Sequence, residues 1–410
     1  MSNKGRNLTR RQWLKGIGSV GLGSLLLPTD GMANMDDRWL ASADASNNQL
    51  VPTRPFGKTG VPVSILSLGG MFDIPSNQLI LKQALKWGVT YWDTADCYGS
   101  GKSEKGIGKF FSKYPDQRKK VFLVSKSDDR DPEGMSSLLN RSLERMNTNY
   151  IDLYFVHGIK DIDELNEETK KWAAQAKALG KIKFFGFSTH RDMETCLMDA
   201  AKLGWIDGIM MTYNFRLMHT EKMKAAVDAC TRAGIGLTAM KTQGGGAVRT
   251  ESETELQMAG RFLKEGYTDA QAKLKAVWEN PQIASICSQM PSMTILMSNV
   301  GAALNRTDLS AKTKGLLEQY ARETQSTYCA GCGHICEAAT GGNVPVSDVM
   351  RYMMYYHHYT NQDEARTDLA RLPKKTCERL TKADYSEAER QCPQRLEIGN
   401  LMRSAVKILG

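Results

Sequence analysis

A permanent membrane helix is missing from the N-terminal part of this 410-residue chain. Its apolar run, Gly16 to Leu27, is rich in glycine and shorter than the roughly 20 apolar residues a spanning helix needs. An even cysteine count is missing too: nine thiols cannot all pair into disulfides. No basic stripe with interleaved aromatics accompanies the net charge of +9, which argues against nucleic-acid binding. No glycine-rich dinucleotide fingerprint follows the first predicted strand, where Leu68-Gly69-Gly70-Met71-Phe72 stands instead, so a doubly wound open sheet is disfavoured. What is present is ordinary for a globular protein: 41% hydrophobic and 24% charged residues, in a chain long enough for two domains.

The first 33 residues carry Lys4, Arg6, Arg10, Arg11 and Lys15 against Asp30 alone, a balance of +4. Thr9-Arg10-Arg11-Gln12-Trp13-Leu14-Lys15 resembles the twin-arginine export motif. The apolar run that follows it ends at Pro28, and small residues at Gly31 and Ala33, or at Ala41 and Ala43, offer cleavage sites. The resemblance implies the twin-arginine machinery as a partner and the periplasm as destination, with residues 1–33 as signal peptide and 34–50 as a polar linker.

From residue 51 the pattern alternates short apolar runs with helical periods. The runs are Val63–Leu68, Thr90–Trp92, Val121–Val124, Ile151–Val156, Ile182–Phe187, Ile206–Met211, Ile235–Met240 and Ile283–Cys287. Near-continuous apolar runs suit parallel strands buried on both faces. Eight such units over about 250 residues predict an α/β fold of the (β/α)8 TIM-barrel type, here across 51–305. A small, mostly helical, Cys-rich domain is expected over 306–410.

Catalytic groups of such barrels sit beyond the C-terminal ends of the strands. Asp93 follows the second predicted strand, Tyr98 lies in the loop after it, Lys126 ends the third and His157 ends the fourth. The set is chemically coherent. A phenol with an ordinary pKa near 10 needs help to act as an acid. An ammonium beside it lowers that value, a carboxylate holds the ammonium, and an imidazole orients a carbonyl.

Two stretches carry a family resemblance over roughly residues 52–300. Arg54-Pro55-Phe56-Gly57-Lys58-Thr59-Gly60 and Asp93-Thr94-Ala95-Asp96-Cys97-Tyr98-Gly99 resemble the opening and signature of the aldo-keto reductases. The resemblance implies an oxidoreductase that transfers hydride between a nicotinamide cofactor, NADP or NAD, and a small-molecule carbonyl or alcohol. By it Tyr98 donates the proton, Lys126 and Asp93 tune it, and His157 orients the carbonyl. It places cofactor contacts at Ser188 and Thr189 after the fifth strand, at Lys241, Gly244 and Gly245 after the seventh, and at Asn299. Two positions depart from the family pattern. Met210 stands where a glutamine usually meets the nicotinamide amide, and no basic residue separates Ser288 from Asn299.

Cys329, Cys332 and Cys336 form a C-x2-C-x3-C run, and the one Cys-Pro of the chain follows at Cys392-Pro393. Thiolates so spaced converge on one metal centre. The stretch from Tyr385 to Pro393 looks like a ferredoxin-type run in which the first two cysteines are Tyr385 and Ala388. The expectation is one 4Fe-4S cluster on these four cysteines, with zinc, disulfides or free thiols as alternatives and Cys377 as a spare. The competing functional reading is an exported iron–sulfur protein that transfers electrons to, or binds, a redox partner protein, with the barrel as scaffold.

Overall fold

The computed structural model describes residues 49–249, 252–359 and 361–410. The signal segment and all but the last two residues of the expected linker lie outside the described residues. From Leu50 to Gly410 the chain forms one compact unit, in which the barrel and the Cys-rich region pack together.

A short antiparallel hairpin, β1 (Thr53–Pro55) with β2 (Pro62–Ser64), comes first. Eight parallel strands then close a barrel: β3 (Leu66–Gly69), β4 (Tyr91–Asp93), β5 (Phe122–Ser127), β6 (Ile151–Val156), β7 (Ile182–Thr189), β8 (Gly208–Thr212), β9 (Gly236–Met240) and β10 (Ile283–Gln289), with β10 returning to β3. The single run expected over Val63–Leu68 is in fact two elements. Val63 and Ser64 pair with the hairpin and only Leu66–Gly69 joins the barrel. Periodicity alone cannot show that break, because both pieces are buried.

The hairpin closes the end of the barrel away from the site. Phe56 is fully buried and packs with Tyr91, Phe122, Leu153, Phe155 and Met210 inside the barrel. Gly236 makes that possible, since a Cβ there would sit 2.5 Å from the Phe56 ring. Trp92, Phe110 and Phe111 represent the larger core between strands and outer helices.

The outer helices are α1 (Gln78–Lys86), α2 (Lys102–Lys113), α3 (Pro132–Arg145), α4 (Glu167–Ala178), α5 (Met193–Leu203), α6 (Glu221–Arg232), α7 (Glu253–Lys264), α8 (Asp269–Trp278) and α9 (Met293–Leu304). Their starts follow local chemistry. Asp131 accepts from Gly134 N ahead of Pro132, and Thr220, Ser252 and Ser292 cap α6, α7 and α9 in the same way. A side-chain acceptor at this position satisfies one of the unpaired N–H groups of the first turn.

Beyond the barrel, α10 (Ala311–Glu323) packs on α7 through Leu317, Tyr320, Phe262 and Met258. A second core follows, built by α11 (Gly333–Ala339), α12 (Val346–His358), α13 (Gln362–Ala370), α14 (Lys374–Lys382), α15 (Ser386–Gln391) and α16 (Ile398–Leu409). Among the described residues no helix is long and apolar enough to cross a membrane.

Candidate active site

Three adjacent strand ends bring the expected tetrad together. Lys126 is almost fully buried at the end of β5, and its Nζ donates to Asp93 Oδ2 at 2.8 Å, to Thr94 O at 2.7 Å and to Tyr98 OH at 3.3 Å. The same ammonium lies 4.7 Å from the centroid of the Tyr98 ring. Two fixed acceptors and one longer contact to the phenol give a cation whose position is set by Asp93 and whose field falls on Tyr98. His157 meets the Tyr98 ring edge-on, with centroids 5.8 Å apart.

One expectation is corrected here. The phenol of Tyr98 was expected to be lowered by Lys126, yet it stands well above its ordinary value. Burial is the larger cause and the Asp93 carboxylate the next. A buried phenolate beside a carboxylate is disfavoured, so Tyr98 keeps its proton.

Sequence reasoning missed Asp128, which stands two residues beyond Lys126. Its Oδ1 lies 2.7 Å from Nδ1 of His157. A carboxylate there keeps a ring proton on Nδ1 and orients the imidazole. The Asp128 carboxyl is held down to about 2: burial opposes this, and the hydrogen bond and charge of His157 overcome it. Cys196 and Cys230 are buried small fillers, but Cys97 and Cys287 are not. Both are only partly buried and stand at the site, Cys97 Sγ 3.6 Å from His157 Nδ1 and Cys287 Sγ 3.6 Å from Asp93 Oδ2. Cys97, Asp128 and His157 are the one group among the described residues whose three donor atoms lie within 4.8 Å of one another.

The expected cofactor residues are engaged by protein. Ser188 Oγ accepts from Gly158 N at 2.9 Å, and the single O–H of Thr189 lies between two acceptors, Ile159 O at 3.0 Å and Arg191 O at 2.8 Å. Asn299 is buried and donates to Ser288 Oγ at 3.0 Å. In the loop after β9, Gly244 N donates to Lys241 O and Ala247 N donates to Thr327 O, each at 3.0 Å. His358 of α12 covers Gly245, where a Cβ would come 2.8 Å from its ring, and the Thr327 carbonyl covers Gly246. The side chain of Lys241 lies over the rings of Tyr355 and Tyr359. The close approach these glycines permit is therefore made by the C-terminal segment. In this arrangement the residues at the loop do not fit a dinucleotide, and the physical reason is that their small faces and two of their N–H groups are already occupied.

The C-terminal cysteines gather. Cys329, Cys332, Cys336 and Cys392 all line one cavity, walled by Ile335, Val346 and Leu396. Among the described residues no three of these sulfurs lie within 4.8 Å of one another, whereas tetrahedral zinc holds its sulfurs roughly 3.8 Å apart. Burial pushes the thiols up, to about 11 for Cys332 and about 12 for Cys336. The spare Cys377 lies elsewhere, against the carbonyls of Leu369 and Leu372. Tyr385 and Ala388 are buried in the second core, so the positions of the two absent cysteines are filled by packing.

The aldo/keto reductase family model matches residues 66–298, more than half of the chain. An eight-stranded parallel barrel with this tetrad and this match defines a chain that belongs to the aldo/keto reductase family, a family of oxidoreductases. Among similar proteins, the aldo-keto reductase yakc [NADP(+)] of Schizosaccharomyces pombe is 33% identical over 159 residues, which is 34% of this chain and 45% of that protein. L-galactose dehydrogenase of Arabidopsis thaliana is 23% identical over 297 residues, 65% of this chain and 93% of that protein. The holo form of aldo-keto reductase AKR11C1 from Bacillus halodurans shares the fold, with a TM-score of 0.54, 23% identity, and coverage of 66% of this chain and 96% of that one. This chain spans 45–64% of the length of several of its curated relatives.

Proposed function

We propose that this protein is an oxidoreductase of aldo-keto reductase type that interconverts a small carbonyl compound and its alcohol. Tyr98 is the acid that protonates the developing alkoxide. Lys126, ion-paired to Asp93, holds its positive charge beside that hydroxyl, and His157, oriented by Asp128, accepts or donates at the substrate oxygen through Nε2. The observation that carries this reading is the ammonium of Lys126, within 2.8 Å of Asp93 and 3.3 Å of the Tyr98 hydroxyl. In the family NADP(H) supplies the hydride. Since the loop after β9 is covered here by Thr327 and His358, no step is assigned to a dinucleotide. The test is reduction of a panel of small aldehydes and ketones by the mature protein, supplied in turn with NADPH, NADH and a reduced viologen dye. Loss of turnover in Tyr98→Phe with each donor that works supports the reading, and turnover that ignores the substitution defeats it.

The four C-terminal cysteines are proposed to hold one 4Fe-4S cluster. Their shared cavity supports this. Export through the twin-arginine route to the periplasm is proposed on the ordered sequence pattern alone: Arg10 and Arg11, the apolar run Gly16 to Leu27, and the small residues that follow. A second reading, an exported electron-transfer protein with a redox partner, is favoured by one observation: the C-terminal segment occupies the glycine loop that a dinucleotide would use. Extraction of nucleotide from protein purified without oxygen separates the two, since bound NADP or NAD would exclude the second.

A further inference from the structure

We propose that the cavity between the barrel mouth and the C-terminal helices binds the carboxylate of a small carbonyl substrate, with Lys241 and Arg351 as its anchors. This rests on reading the barrel mouth as a carbonyl/alcohol site and names the substrate class for it.

The cavity is small, about 40 Å³, room for a group the size of a carboxylate, and it opens to solvent. Its walls come from both parts of the chain: His190 follows β7, Thr212 ends β8 and Lys241 follows β9, while Asp348 and Arg351 come from α12. It carries three cationic side chains, Arg191, Lys241 and Arg351, against the single carboxylate of Asp348. Their partners decide how much of that charge is free. Arg191 is neutralised by Asp192 at 3.0 Å and Glu337 at 2.5 Å. Asp348 is shared between Arg351 at 3.0 Å and Lys160 at 2.7 Å, one carboxylate for two cations. Lys241 has no carboxylate partner among the described residues. Its ammonium lies 4.4 Å from the Tyr355 centroid and 4.8 Å from that of Tyr359. Aromatic faces hold a cation without neutralising it, so the pocket keeps unspent positive charge.

Three further observations agree. Lys241 adopts φ +58°, a left-handed conformation that side chains other than glycine and asparagine seldom take. Such backbone strain gathers where a side chain must be aimed. Burial and the charges of Arg351 and Lys241 hold the His190 imidazole well below its ordinary value, so the ring is neutral beside Thr212. Burial pushes the Tyr355 phenol up, yet Lys241 and Arg351 draw it below its ordinary value. Both groups report the same positive field. The charges of His157 and Lys126 also reach His190, which sets the cavity beside the tetrad. Tyr355, whose ring the Lys241 ammonium faces, is also close enough to act electrostatically on Tyr98. The phosphates of a dinucleotide are the other source of negative charge, but the backbone groups that would cradle them are covered by Thr327 and His358.

The test is isothermal titration of the mature protein, purified without oxygen, with pyruvate, methyl pyruvate and NADP⁺. Pyruvate is expected to bind about tenfold or more tightly than its uncharged ester, the scale of one charge-assisted hydrogen bond. Lys241→Gln should weaken pyruvate by about tenfold and leave the ester unchanged, while Lys241→Arg should restore most of the affinity and show that the fold survives change at this position. If the parent protein binds pyruvate with this selectivity and reduces no carbonyl with any donor, the anion subsite stands and the oxidoreductase reading falls. Equal affinity for acid and ester, no binding of either, or competitive displacement of pyruvate by NADP⁺ with both lost in Lys241→Gln would overturn the proposal.

Discussion

Replacing Tyr98 by phenylalanine removes one oxygen and little else. Among the described residues that oxygen's one hydrogen-bond partner is Lys126 Nζ, at a long 3.3 Å, and the ammonium keeps Asp93 at 2.8 Å and Thr94 O at 2.7 Å. The Asp93–Lys126 pair stays satisfied, so the variant should lose only about 0.5–1.5 kcal/mol of stability, the net value of one hydrogen bond. Its effect on turnover should be far larger. A positioned acid contributes roughly 10²–10⁴-fold, which is about 3–5 kcal/mol of barrier. The alkaline limb of stability carries a second signature. The native phenol holds its proton well above its ordinary value. Below pH about 10 both native and unfolded states are protonated and the shift has no effect. Above it the unfolded chain releases a proton that the native chain retains, so stability falls as pH rises. Tyr98→Phe should therefore soften the alkaline decline relative to the parent. Turnover and denaturant melts on the same preparation, from pH 7 to 11, check both. Carbonyl reduction within a few-fold of the parent, in a variant that melts normally, would refute the assignment of Tyr98 as the acid.

Asp128→Asn should lower turnover by misorienting His157, and it should also erase an acid-side contribution. A carboxyl lowered to about 2 stabilises the fold above pH about 4 and loses that contribution as pH falls toward 2, so parent and variant melts should converge there. Cys392→Ser should lose iron measured by metal analysis, whereas Cys377→Ser, outside the shared cavity, should keep it. Gly246→Ala forces a Cβ onto the Thr327 carbonyl and should cost about 1–3 kcal/mol in denaturant melts, since overpacking against backbone has no flexible escape. Arg10→Lys with Arg11→Lys should retain the precursor in the cytoplasm on fractionation.

The barrel was legible because both faces of each strand are buried and the apolar runs are correspondingly continuous. The tetrad was legible because each member stands at or just beyond a strand end, where side chains converge. What escaped the sequence is what a second chain segment decides. Gly244–Gly246 reads as a phosphate cradle in isolation, since nothing in the loop itself says that Thr327 and His358 will lie on it. Arg351 and Tyr355 sit in a helix rich in methionine and tyrosine, four residues apart on one face. Only the docking of α12 at the mouth joins them to Lys241. The pKa of Tyr98 was misjudged for a related reason: the favourable charge of Lys126 is visible in the pattern of residues, while the depth of burial that opposes it is not. Asp128 alone left a usable signal. A carboxylate two residues beyond Lys126, just past the last residue of β5, falls by the period-2 alternation of an extended chain on the same side as Lys126 and within reach of the next strand's histidine.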